Sequence, residues 1–153
     1  MSKKQIAVLI IIAAVAVFFA VRIIRNAMTS EEAKIKKMIN EFAEEFEQKK
    51  FSNIFDHITE DYTDKGGNTK KSLKESAKLI VVYVSEINIS ISDLRVVVSR
   101  DRKTAEAGFM AKAHFLTKFR DENIDEPIIF SLRRENGKWM LYKSNLGQYG
   151  EGF

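Results

Sequence analysis

Hydrophobic residues form one unbroken run near the start of the chain and shorter periodic patterns after it. The run has sixteen consecutive apolar residues, Ile6–Val21, and continues to Ile24 with one interruption at Arg22. A helix rises about 1.5 Å per residue, so residues 6–24 would span roughly 28 Å, close to the ~30 Å thickness of a bilayer core. The run therefore predicts a signal-anchor or transmembrane helix within residues 1–25.

A cleaved signal peptide is the alternative, and its apolar core is typically about 7–15 residues long. The run here is longer, and Phe18 and Arg25 stand where a cleavage site would have small residues. Orientation is weakly specified, because Lys3 and Lys4 precede the run while Arg22 and Arg25 follow it. The basic residues after the run lean towards a cytoplasmic domain. A short basic tail before a first apolar segment is the usual form of an exporting signal-anchor, so we expect a single-pass protein of the cell (inner) membrane with its domain exported.

Three helices are expected after a linker at residues 26–30. Thr29 and Glu32 have the spacing of a capping box, and the helix that they begin runs to about Lys50. A short helix follows at 51–58, and a third runs from about residue 68 to 84. Apolar residues recur every three or four positions on the first and third helices. The expected buried stripes are Ile35, Met38, Ile39, Phe42, Ala43 and Phe46, and then Leu73, Ala77, Ile80, Val81 and Val84.

The second half of the chain alternates apolar and polar residues, which is the period of half-buried strands. One strand is expected at 86–99 with a bulge at Ser92-Asp93, and the longest at 104–119; an acidic loop is expected at 120–126. Two further strands flank Asn136-Gly137, the strongest short hairpin signal. That turn would pair Leu132 with Leu141 and Arg134 with Trp139. The inward face expected for the longest strand consists of Ala105, Ala107, Phe109, Ala111, Ala113, Phe115, Thr117 and Phe119.

Three helices followed by about four antiparallel strands predict an α+β fold, with the helices packed on one face of a strongly curved sheet. The domain would cover residues 31–146, and residues 147–153 would form a flexible tail. The net charge of +4 comes from Lys3, Lys4, Arg22 and Arg25, so the remainder of the chain is formally neutral. Neutrality argues against nucleic-acid binding, which requires a basic face.

The order of elements resembles the nuclear transport factor 2-like superfamily, whose cone is a curved sheet wrapped over three helices. The likeness covers roughly Glu31–Ser144. It rests on the first amphipathic helix, on Glu60–Asp64 followed by a glycine turn, and on Leu132–Trp139 at the end. The superfamily contains enzymes and many non-enzymes, so the resemblance implies a fold and leaves the function open.

The resemblance also suggests where chemistry would lie. Asp64 falls near the general base of ketosteroid-isomerase-like members, and Tyr62 is beside it. The expected electrophilic partners are missing, because the first helix offers Phe42 and Phe46 where a Tyr would polarise a carbonyl. The plainer interpretation of Asp64 is turn chemistry before the two glycines. An apolar pocket, if the cone has one, would be lined by Tyr62, Asp64, Tyr83, Phe109, Phe115 and Trp139.

No cofactor or metal site is expected. Cysteine is absent, and His57 and His114 lack the spacing of metal motifs. The outer face of the sheet is unusually apolar at Met110, Leu116, Met140 and Tyr142, which suggests a homodimer through the sheet.

Two functions remain open. One is a membrane-anchored, non-catalytic binding or assembly domain for a protein partner or a small apolar ligand, which the missing catalytic constellation favours. The alternative is a small-molecule isomerase or dehydratase that acts on an apolar substrate in the cone.

Overall fold

The structure, a computed structural model, describes the backbone of residues 3–146 and the side chains of residues 10–26 and 30–146. Three helices and five strands follow one another along this part of the chain. In chain order they are α1 (Lys3–Glu47), α2 (Phe51–Asp56), β1 (Ile58–Asp64), α3 (Lys70–Tyr83), β2 (Val84–Val98), β3 (Thr104–Thr117), β4 (Asp121–Glu135) and β5 (Lys138–Ser144). The α+β class is confirmed, and the tail expected at 147–153 lies outside the described residues.

The 45-residue helix α1 joins the apolar run to the domain without a break. The helix continues through residues 26–30, where a short linker was expected, so the expected helix start at Thr29 is wrong. Residues 26–30 contain neither Gly nor Pro. Extending an existing helix adds a hydrogen bond for each residue fixed, so weak helix formers in the middle do not stop it.

The two halves of α1 differ in their surroundings. Large apolar side chains between Ile10 and Ile24 are exposed, with Ile23 65% accessible. The predicted stripe of the second half is confirmed at Ile35, which is fully buried, and at Ile39 and Phe42. These residues belong to the core between the helix and the curved sheet.

The five strands form one sheet in the order β1-β5-β4-β3-β2. About four antiparallel strands were expected; the fifth is β1, which runs parallel to β5. The acidic loop expected at 120–126 is also wrong, because this stretch is the first half of β4 and pairs with β3 from Asp121 onward. Asp121 and Asp125 are exposed and alternate with Ile124 and Ile128, whereas Glu122 and Glu126 share the half-buried face of the isoleucines.

Two local predictions of the sheet are confirmed. The pairing of β2 with β3 shifts register between Ser92 and Arg95, where Asp93 has a φ of 55°. The β4–β5 hairpin has the predicted register, with Leu132 opposite Leu141 and Arg134 opposite Trp139.

Helix α3 begins where the sequence predicted, and its C-terminal part is more exposed than predicted. The Thr69 hydroxyl accepts from the Ser72 amide, and the Ser72 hydroxyl accepts from the Thr69 amide, which closes a capping box. Ala77 is buried, whereas Val81 is 52% exposed, so its place in the buried stripe is wrong. The helix lies over β1 and the start of β2, and this contact covers only its Ala77 side.

Candidate functional site

Tyr62 lies in the core of the domain. Its side chain is 1% exposed on β1, and its hydroxyl is 2.8 Å from the Ser144 hydroxyl on the neighbouring strand β5. Burial raises the pKa of Tyr62 to about 12, and the nearby charge of Asp64 acts in the same direction. The hydroxyl is therefore neutral at physiological pH, so it can share a hydrogen bond but has little tendency to act as a base.

Asp64 ends β1 and holds the turn that follows. Its carboxylate accepts the backbone N–H of Asn68 at 2.9 Å and the side-chain amide of Asn68 at 2.9 and 3.2 Å. Between these residues Gly67 has a φ of 79° and donates its N–H to the Asp64 carbonyl oxygen. Asp64 is 9% exposed. These bonds are those of an Asp-stabilised turn, and they occupy both carboxylate oxygens.

The other four candidate pocket residues are spread over the domain. Phe109 is buried and makes an edge-to-face contact with Phe130 at 5.2 Å. Phe115 contacts Phe46 at 6.4 Å, near the C-terminal end of α1. Tyr83 is 60% exposed at the end of α3. The structure thus brings Tyr62, Phe109 and Trp139 into one core cluster, and leaves Tyr83 outside it.

A cavity of about 490 Å³ lies elsewhere, between the end of α1, the first halves of β2 and β4, and the second half of β3. None of the six candidate residues lines it. Its charged groups already have partners: the Glu47 carboxylate accepts the Ile89 N–H at 2.6 Å, and Lys112 lies 3.5 Å from Asp125. The lining residues are Glu47, Asn88, Ile89, Ser90, Lys112, Ala113, His114, Asn123, Ile124 and Asp125.

A buried carboxylate that the sequence did not single out lies at the opposite end of the core. Glu31 on α1 is 5% exposed, and one of its oxygens accepts the indole N–H of Trp139 at 2.7 Å. Lys34 donates to the other oxygen at 3.0 Å, and Arg134 lies 3.6 Å from it. Burial raises the pKa of Glu31, but the hydrogen bonds from Trp139 and Lys34 and the charge of Arg134 outweigh it. They hold the pKa below its usual range.

The signal for this carboxylate is present in the sequence. Glu31 precedes Ile35 by four positions, so it continues the apolar stripe of α1 by one turn. An acidic residue on a buried stripe needs a partner, and the single Trp of the chain supplies one. A helix that begins at Thr29 would put Glu31 in its exposed first turn, where a carboxylate needs no such partner.

The fold has many relatives among solved structures. A conserved protein from Planctomyces limnophilus superposes with a TM-score of 0.69 at 14% identity, covering 76% of this chain and 94% of that one. A protein from Novosphingobium aromaticivorans provisionally named scytalone dehydratase gives 0.68 at 14% identity, over 76% and 83%. A nuclear transport factor 2-like protein of unknown function from Pseudomonas putida gives 0.63 at 12% identity, over 76% and 85%.

The chain has the nuclear transport factor 2-like fold. The predicted resemblance is therefore confirmed at the level of fold. The sequence matches no protein-family model and none of the curated proteins. At these sequence identities the shared fold does not indicate an activity, because the same fold hosts unrelated functions.

Within this nuclear transport factor 2-like cone, the groups that face α1 from the sheet are mainly apolar. Phe42 is buried in the core, and Phe46 packs against it. On β3, Ala105, Ala107 and Phe109 are buried, which agrees with the predicted inward face. Phe119 was placed on that face wrongly, because β3 ends at Thr117 and Phe119 is 87% exposed in the turn that follows. β3 is also not the longest strand, since β2 and β4 are each one residue longer. The arrangement supplies packing surface. The buried polar residues beside it are Glu31, Thr59, Asp64 and Ser144.

Proposed function

We propose that this protein is a membrane-anchored binding or assembly domain, held at the bilayer by the apolar half of α1. One observation carries the proposal: a single helix is apolar and exposed between Ile10 and Ile24 and packed in a domain core along its second half. From Ile10 onward, α1 contains an 18-residue window with a mean hydropathy of 2.1, none of it buried. By length and composition this is the one helix of the described residues able to cross a membrane. An exposed apolar surface of this length needs lipid or another apolar partner to cover it.

The anchor is tested by alkaline extraction of membranes that contain the full chain. Ile12→Arg/Val15→Arg places two charges in the span, and each arginine at the centre of a membrane helix costs about 2.5–3.5 kcal/mol on insertion scales. We expect this variant to be extracted while the wild type stays with the lipid. Leu79→Arg/Val82→Arg is the matched control, since both residues are exposed on α3 and also lie three apart. Extraction of the wild type would overturn the anchor.

The proposal includes the exported side of the cell membrane for the domain. A compartment-sensitive reporter fused after Phe153 tests this choice, since it is active on one side only. Activity of a cytoplasmic reporter would place the domain on the other side and leave the anchor itself unaffected.

A binding role is favoured over catalysis by the bonds that Tyr62 and Asp64 already make. The alternative is an isomerase or dehydratase of an apolar substrate, in keeping with the provisional name of the Novosphingobium aromaticivorans neighbour. It would require a base that is free to take a proton and a cavity beside it. The Asp64 carboxylate is held by Asn68, and the 490 Å³ cavity lies away from both residues.

We also propose that the outer face of the sheet forms a homodimer. Val97 is 70% exposed and Ile129 43% exposed on that face, and Met110, Met140 and Tyr142 are partly exposed beside them. These apolar residues lie on four neighbouring strands and form a surface suited to a two-fold interface. Sedimentation of the chain in detergent tests this proposal, with Val97→Lys/Ile129→Lys as the disrupting variant. A wild type that remains monomeric at high concentration would contradict it.

A further inference from the structure

Two turns of the sheet lie beside the part of α1 where the apolar segment ends. The Lys103 carbonyl oxygen accepts the Arg134 N–H at 2.9 Å, so the β2–β3 turn and the β4–β5 turn are neighbours. Glu31 on α1 bonds to Trp139 and lies 3.6 Å from Arg134, which places both turns near residue 31 of the helix. The opposite end of α1 lies near the start of β2, where Lys49 bonds to the Val84 carbonyl.

The two turns carry a concentration of unpaired positive charge. We call Arg100, Arg102, Lys103 and Lys138 the cationic rim; all four are exposed. In the part of the chain with described side chains, none of them lies within ion-pair distance of a carboxylate. The acidic residue between them, Asp101, is engaged by the Ser99 hydroxyl at 2.6 Å and by the Lys103 amide.

The turn at the other end of β3 is different, because its charges balance. Lys118 and Arg120 are followed directly by Asp121 and Glu122. Arg120 lies 3.2 Å from Glu122, and Asp121 lies 2.6 Å from His114. The end towards the apolar half of α1 thus has four exposed basic residues outside ion-pair distance of a carboxylate, while Asp101, Glu135 and Glu31 at this end are held by Ser99, Arg133 and Trp139.

The distance along α1 brings the cationic rim within reach of lipid headgroups. Seven residues separate Ile24 from Glu31, which is about 10 Å of helix. The headgroup layer extends roughly 5–7 Å beyond the hydrocarbon core. The Debye length at physiological ionic strength is about 8 Å, so charges at the level of Glu31 act on that layer with little screening.

We infer that the cationic rim docks on anionic phospholipid headgroups of the same membrane that α1 enters, and thereby holds the domain down on the bilayer. The inference rests on the proposed anchor, which sets the distance between rim and lipid. A lipid surface fits better than a nucleic acid, because the rim is a small patch close to an apolar helix and the domain as a whole is formally neutral. Each basic residue near an anionic surface contributes about a fivefold change in binding.

A distance reporter on the full chain in vesicles tests the contact. The chain has no cysteine, so one introduced cysteine carries a fluorophore at a single site. Thr104→Cys places it beside the rim, and Phe119→Cys places it at the opposite turn, where the side chain is 87% exposed. The vesicles contain a headgroup-attached quencher in phosphatidylcholine, with or without about a third of phosphatidylglycerol.

We expect phosphatidylglycerol to increase quenching at position 104 and to leave position 119 unchanged. Arg100→Gln/Arg102→Gln should lower the ratio of docked to undocked domain by about 25-fold. Salt near 1 M, where the Debye length is about 3 Å, should also lower the ratio of docked to undocked domain. The matched control is Lys118→Gln/Arg120→Gln, which removes the same charge from the other end of β3 and should change nothing. Quenching at position 104 that ignores lipid charge, or that the control lowers equally, would overturn the inference.

Flotation of the chain with vesicles distinguishes failure of the rim inference from failure of the anchor. If the wild type floats with neutral vesicles after a high-salt wash but quenching ignores phosphatidylglycerol, the rim inference is wrong and the anchor stands. If the wild type floats only with anionic vesicles and leaves them at high salt, the anchor is overturned, and the docking inferred for the membrane that α1 enters is overturned with it.

Discussion

The indole N–H of Trp139 donates to the buried carboxylate of Glu31 across 2.7 Å, and this bond joins α1 to β5. The two residues are 108 positions apart, and each is less than a tenth exposed. The bond lies where α1 leaves the domain, so it fixes the helix that carries the apolar segment against the sheet. Orientation of the domain relative to a membrane would depend on it.

Loss of this bond should weaken the domain more than loss of a surface ion pair. Trp139→Phe is expected to lower the free energy of unfolding by about 2–3 kcal/mol, because it removes both a donor to a buried charge and part of a buried ring. Denaturant unfolding of the detergent-solubilised chain measures this change. A double-mutant cycle with Glu31→Ala should show a coupling of about 1–2 kcal/mol. Lys34→Ala is the control and should cost less than about 1 kcal/mol, since Lys34 is largely exposed.

The lowered pKa of Glu31 makes stability fall in acid. In the unfolded chain this carboxyl has a pKa near its usual value of 4.5, above its value in the fold. Unfolding therefore takes up a proton in that range, and the stabilisation by charged Glu31 is present above about pH 4.5 and is lost as the pH falls through the lowered folded value. The wild type should lose more stability than Glu31→Gln between about pH 5 and the lowered pKa. Parallel profiles of the two proteins would contradict the assignment.

Tyr62 should titrate later than an exposed tyrosine. Its pKa of about 12 in the fold exceeds the ordinary value of 10, so the unfolded chain releases this proton first. Stability should therefore fall as the pH rises from about 10 towards 12, the opposite side of the pH scale from Glu31. Ultraviolet absorbance of tyrosinate measures the step, which should be absent in Tyr62→Phe. Ser144→Ala is a second variant; it should raise the pKa further, because the Ser144 hydroxyl favours the ionised form.

Local patterns were predictable from the sequence, and contacts between distant segments were not. Asn136-Gly137 determines its hairpin within a few residues, so the pairing of Arg134 with Trp139 could be predicted. The parallel pairing of β1 with β5 could not, because nothing near Tyr62 indicates that Ser144, 82 positions away, lies beside it. The predicted break before Thr29 failed for a related reason, since capping signals compete with the continuation of a helix that already exists.

The contacts of the candidate site were likewise predictable only where they are local in sequence. The turn role of Asp64 follows from local sequence, as Asn68 is four positions away. Whether Tyr83 lies near Phe109 depends on how α3 packs on the sheet, which periodicity alone does not determine. Val81 on the same helix is exposed for the same reason, because the packing of α3 on the sheet leaves it uncovered. Extending the apolar stripe of α1 by one turn towards its N-terminus would have identified Glu31 as a buried residue.

Gly137 should be the glycine of the sheet least tolerant of a side chain. It has a φ of 79° in the β4–β5 turn, and a Cβ added there would meet no atom within 4 Å. Gly137→Ala should therefore cost about 1–2 kcal/mol through backbone strain alone, as a left-handed conformation does for an L-residue. Gly108→Ala on β3 is the matched control: its Cβ also meets nothing, and its φ is ordinary. We expect the control to be neutral or slightly stabilising, because Ala loses less backbone entropy than Gly on folding. Denaturant unfolding of both variants gives the comparison, and equal losses would show that the strain at position 137 is relieved by rearrangement of the turn.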